Sequence, residues 1–167
     1  MLRARILTVS DGVAAGTRVD ESSPLLAQLL TAADFIVEET RTSPDGIDEV
    51  ADALREMSTG FAGLLLTTGG TGFSPRDVTP EATLRVIERE APGLVEAARA
   101  ASPYGALSRA RAGVRGSCLI LNVPGSPRGA RESLAAVLAI IPHALELLSA
   151  TPSPHPPEIG GTTAISS

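Results

Sequence analysis

LLLTTGGTGFSPRDVTPEAT, residues 64–83, is the stretch whose reading decides the fold. Three leucines run into Thr67 and Thr68, then into Gly69-Gly70-Thr71-Gly72, and Thr79-Pro80-Glu81 opens the next element. This is the pattern of a buried strand, a glycine-rich turn and a helix. In open α/β sheets, ligands bind just beyond the carboxyl ends of the strands. Glycines at such a turn let backbone amides close on a phosphate that a side chain would hold off. The spacing is not that of a G-x-G-x-x-G dinucleotide loop, so periodicity alone stops at a phosphate-binding α/β domain.

Working outward, residues 3–10 read as a strand that ends at Asp11-Gly12, and residues 16–21 as a polar loop. Ser23 is expected to cap a helix with Pro24 in its first turn and Leu25, Leu26, Leu29 and Leu30 on one stripe. A strand is expected at 35–42 and a turn at 43–46. Ile47, Val50, Ala51, Leu54 and Met57 then mark a helix. After the strand at 63–68, the helix from Thr79-Pro80 carries Leu84, Val86 and Ile87 as far as Pro92-Gly93, and 93–101 forms another. Residues 104–116 read as a basic loop or a short edge hairpin. Residues 117–123 form a further strand, ending in Pro124-Gly125-Ser126. The last helix aligns Leu134, Val137, Leu138, Ile141, Leu145 and Leu148, with Pro142 expected to kink or break it. Alternating strands and helices predict an α/β fold, a mostly parallel sheet covered on both faces. One domain is expected at 1–150 and a flexible Pro/Ser/Gly-rich tail at 151–167.

Composition narrows the chemistry. With 167 residues, 43% apolar and 2% aromatic, a single aliphatic core is expected. The net charge of −5 argues against nonspecific binding to nucleic acid. All 14 basic residues are Arg, which excludes the lysine-bearing phosphate loop and any Schiff-base lysine. Cys118 is the single cysteine, so no intrachain disulfide can form; it reads as an inert core thiol in a cytoplasmic protein. The N-terminus turns polar too soon for a signal peptide, and no apolar run is long enough to span a membrane. His143 and His155 with one cysteine make a zinc site improbable, and the G-x-S-x-G elbow of serine hydrolases is missing from the chain.

In such a fold the strand ends deliver Ser10-Asp11, the Pro44-Asp45 turn, the loop at 69–77 and the run 122–126 to one rim. Asp45 and Asp77 sit just past neighbouring strands. Two carboxylates can hold a hydrated Mg²⁺, whose other positions go to water and substrate phosphates. Plainer roles fit the same residues. Asp45 could be an N-cap, Asp77 could order its loop, Ser126 could cap the last helix, and Asp11-Gly12 is a common turn pair.

The glycine-loop stretch resembles the signature of the MoaB/Mog family, the molybdopterin adenylyltransferases of molybdenum cofactor synthesis. VSDG at 9–12, SPDG at 43–46, LSRARAG at 107–113 and LILNVPGSPRGARE at 119–132 extend the resemblance to about residues 4–148. It implies a three-layer α/β/α sandwich, assembly as a homotrimer or hexamer, and a cytoplasmic Mg²⁺-dependent transfer of AMP from ATP to the terminal phosphate of molybdopterin. By the same resemblance Asp45 and Asp77 are the catalytic, metal-holding pair. Substrate binding falls to Ser10 and Asp11, to Gly69, Gly70, Thr71 and Gly72, to Asn122, Pro124, Gly125 and Ser126, and to Arg128. A molybdenum-insertion enzyme is an implied partner; nucleic acid and membrane are not. Three positions depart from the family pattern. Gly12 stands where a basic residue is common, Gly46 where a second acid often follows Asp45, and Arg128 where Lys is usual. A noncatalytic molybdopterin-binding protein of the same fold is the competing expectation. The related domain of molybdenum-inserting proteins, which carry extra domains, is a third.

Overall fold

A computed structural model describes residues 1–150; the tail expected at 151–167 lies outside the described residues. The strands are β1 (Leu2–Val9), β2 (Phe35–Ser43), β3 (Gly63–Thr68), β4 (Arg89–Glu90), β5 (Ala112–Arg115) and β6 (Cys118–Val123), in sheet order β2-β1-β3-β6-β5-β4. The first four strands in that order are parallel. β5 and β4 add an antiparallel edge. The helices are α1 (Asp11–Ala14), α2 (Ser22–Ala32), α3 (Ile47–Ser58), α4 (Thr79–Leu84), α5 (Pro92–Ala100), α6 (Pro127–Val137) and α7 (Ile141–Ser149), with a short 3-10 turn over Pro103–Leu107.

The central strand β3 is buried along its whole length, and its alternating side chains feed two cores. Leu64 and Leu66 join Leu119, Leu121, Leu26, Leu134 and Ile141 on one face. On the other, Leu65 joins Ile120, Cys118, Leu54 and Met57. A strand buried on both faces has no polar positions to show, hence its unbroken apolar run. This is the expected three-layer α/β/α sandwich.

Two local expectations change, and the two that follow them hold and gain detail. α2 is capped not by Ser23 but by Asp20, which accepts the N–H groups of Ser22 at 3.1 Å and Ser23 at 3.0 Å. The helix from Thr79 ends at Leu84 instead of running to Pro92, because Glu88 and Ala91 donate to β5 backbone carbonyls and draw the chain into the sheet. The basic run at 104–116 includes the first strand of the β5–β6 hairpin. The last helix is two, α6 and α7, bent by 61°, with Pro142 in the first turn of α7, where its missing N–H costs nothing. Among the described residues no single helix is long and apolar enough to cross a membrane.

Candidate functional site

A cavity of about 510 Å³ opens at the carboxyl ends of β1, β3 and β6. Its floor is the loop after β3. Gly69 has φ +102°, and a Cβ there would lie 2.2 Å from the Val9 carbonyl oxygen. Gly70 has φ +67°, and its Cβ would meet Thr79 Oγ1 at 2.3 Å and Asp45 Oδ1 at 3.2 Å. Only glycine fits both the dihedrals and the space. Thr79 ties the loop to α4 by donating Oγ1–H to Gly69 O at 2.9 Å and its N–H to Gly70 O at 3.1 Å. The second glycine turn packs on the first: a Cβ on Gly125 would sit 3.1 Å from Gly69 Cα.

Asp45 reaches this floor from the end of β2 and makes no cap bond to α3. Its Oδ2 accepts the Asp11 N–H at 2.8 Å, while its own N–H donates to Asp11 Oδ1 at 2.9 Å. Arg76 grips the Asp11 carboxylate with Nε at 3.0 Å and Nη2 at 2.9 Å. Arg76, aided by the Asp45 N–H, holds the Asp11 carboxyl below its ordinary value. Burial pushes the Asp45 carboxyl up, and the charges of Asp11 and Asp77 push it further, against the Asp11 N–H bond. Asp77 lines the same cavity; its Oδ2 accepts the Ser74 N–H at 2.9 Å and lies 2.9 Å from where a Gly72 Cβ would be.

Ser10, Asp45, residues 69–72, Asp77, Pro124, Gly125 and Ser126 thus line one cavity. Ser126 also caps α6, accepting the Gly129 N–H at 3.2 Å. Asp11 flanks the cavity without lining it. Two residues expected to bind substrate lie elsewhere. Asn122 is buried, donating to the hydroxyls of Thr67 at 2.9 Å and Thr83 at 3.0 Å and accepting the Arg111 N–H. Its amide is consumed by the scaffold. Arg128 is 86% exposed and pairs with Glu132 one turn along α6, outside the cavity lining.

Asp20, Arg76 and Arg109 also serve the site, and no motif singles them out in the sequence. Arg76 could have been suspected beside Asp77, whereas Arg109 was visible only as part of LSRARAG. At two of the departures a charged neighbour covers the glycine. Glu49 Oε2 lies 2.0 Å from where a Gly46 Cβ would be, and Arg18 Cβ lies 3.2 Å from that of Gly12.

The donor set fits Mg²⁺. Among the described residues, Oδ1 of Asp45 and Oδ1 of Asp77 accept no protein hydrogen bond, and Gly70 leaves open the space beside Asp45 Oδ1 that a Cβ would fill. No group of three His, Cys, Asp or Glu side chains gathers as a metal cage among these residues. Two carboxylates suit an ion that keeps its water, not a zinc cage.

Residues 5–143 match the family model described as "Probable molybdopterin binding domain". The chain is 36% identical to the molybdopterin adenylyltransferase of Haemophilus influenzae, over 95% of its own length and 90% of that protein's. Its structure superposes on the molybdopterin biosynthesis enzyme MoaB of Thermus thermophilus with a TM-score of 0.86 at 47% identity, covering 91% of this chain and 99% of that one. It is also 35% identical to gephyrin of Dictyostelium discoideum, over 92% of this chain but only 23% of that longer protein.

Proposed function

The chain belongs to the molybdopterin-binding domain family, and from that premise we propose that it is a molybdopterin adenylyltransferase of molybdenum cofactor biosynthesis. The observation that carries this reading is Asp45 and Asp77 lining one cavity over the Gly69–Gly70 floor. The terminal phosphate oxygen of molybdopterin attacks the α-phosphorus of ATP, a new P–O bond forms, and the bond to the departing pyrophosphate breaks. Such transfers depend on positioning and charge stabilisation, so no separate general base is required. Amides of residues 70–72 hold anionic oxygens, and Ser10 and Ser126 offer hydroxyls at the rim. Asp45 and Asp77 would hold the Mg²⁺, which when bound neutralises charge at phosphorus and on the leaving group. The reading includes a cytoplasmic homotrimer or hexamer, for which light scattering should return three or six chain masses, and delivery of the product to a molybdenum-insertion enzyme.

Purified protein given molybdopterin, ATP and Mg²⁺ is expected to release pyrophosphate, with at least ~100-fold loss of turnover in Asp77→Asn and molybdopterin binding retained. Wild-type protein that binds molybdopterin yet releases no pyrophosphate above background would establish the noncatalytic reading instead.

A further inference from the structure

We propose that Arg109 is a positioning residue: it joins the two walls of the cavity and sets the aim of Asp77, an inference that rests on the adenylyltransferase reading. Because β5 runs antiparallel to β6, the chain entering β5 arrives at the same rim as the glycine loop. Tyr104, Gly105, Leu107 and Ser108 line one wall of the cavity there, and Gly72 and Asp77 the other.

Arg109 spans the two. Its N–H donates to Thr71 O at 2.8 Å, Nε to Gly72 O at 2.8 Å and Nη2 to Asp77 O at 2.6 Å. The same guanidinium pairs with the Glu81 carboxylate in the first turn of α4. One residue therefore gathers the entry of the loop at 71–72, its exit at 77 and the helix beyond. Arg109 is itself held in place, since Arg99 donates Nε to Ser108 O at 2.9 Å and Nη2 to Ala110 O at 2.6 Å, on either side of it. The bonds inside the loop, between Ser74 and Asp77, shape its tip without tying it to the opposite wall. A planar fork serves several acceptors at fixed angles, which one ammonium cannot do. Arg109 bonds the Asp77 carbonyl and not its carboxylate, and it does not itself line the cavity, so its effect reaches the reaction through the placement of Asp77 and of the loop at 71–72.

The test compares wild type, Arg109→Lys and Arg109→Gln in two measurements. Pyrophosphate release should show kcat falling about 100-fold in Arg109→Gln, as expected for a displacement of about 1 Å, with KM changed much less and Arg109→Lys intermediate. Hydrogen exchange with intact protein should show faster exchange of the amides at 70–77 in Arg109→Gln, with core protection in β3 and β6 retained. A kcat within twofold of wild type, or unchanged exchange at 70–77, would overturn the proposal. If wild type releases no pyrophosphate, the functional reading fails, and the exchange measurement still decides the role of Arg109.

Discussion

Asp45 is held where its charge is unfavourable. Burial comes first and the neighbouring Asp11 and Asp77 carboxylates second, and together they raise its pKa in the folded protein. A carboxyl raised above its unfolded value of about 3.9 favours folding below that pH and loses the contribution as pH rises through the native value. Metal-free Asp45→Asn should therefore melt on the order of 1–3 °C higher than wild type at pH 7, with no gain below about pH 4. A melting temperature at pH 7 equal to or below that of wild type would show that the strain is not there. Asn can still accept the Asp11 N–H, so the comparison isolates charge. Gly70 belongs to the same corner: its missing side chain leaves Asp45 Oδ1 open. The glycines and both acids were legible in the sequence as residue types. That Asp45 exchanges backbone bonds with Asp11 was not, because the two lie 34 residues apart.

At the level of elements, α2 shows how a wrong local reading arises. Ser-Pro at 23–24 is a sound helix-start signal, yet Asp20 caps both free N–H groups and accepts the hydroxyls of Ser23 and Thr8, each at 2.6 Å. Burial pushes the Asp20 carboxyl up, but these four bonds outweigh it and leave the value lowered. A lowered native value adds stability above the unfolded pKa, and that stability is lost as pH falls through the native value. Asp20→Ala should therefore cost about 1–2 kcal/mol at neutral pH, a drop of about 2–8 °C in Tm, with the difference closing in acid below about pH 4. Thermal scans across that range check both the size and the pH window. α2 also meets the second glycine turn, where Ser22 donates its hydroxyl to Gly125 O at 2.7 Å. Loss of the cap should consequently disturb the cavity wall as well as the helix.

Across the whole molecule, charge and cavity act together. The chain carries a net charge of −5, and the charged groups lining the cavity are Asp20, Glu21, Asp45 and Asp77 against Arg18. A bare triphosphate meets a repulsive field there, so ATP should bind at least ~10-fold more weakly after chelation of divalent metal. Calorimetry with and without a chelator measures the difference, and equal affinities would mean that the acids do not act through a cation. Cys118, buried and with its thiol pushed up to about 12 chiefly by desolvation, takes no part in this chemistry. The sequence by itself determined β3, its glycine turn, the helix beyond and the alternation that makes an α/β sandwich, since burial on both faces and positive φ leave marks within a few adjacent residues. Only the tertiary structure decided that Asn122 serves the scaffold, that the chain after Leu84 joins the sheet as β4, that α6 and α7 part by 61°, and that Arg109 ties hairpin to loop. Each depends on partners far along the chain, and hydrogen-bond donors and acceptors carry no periodicity that would announce them.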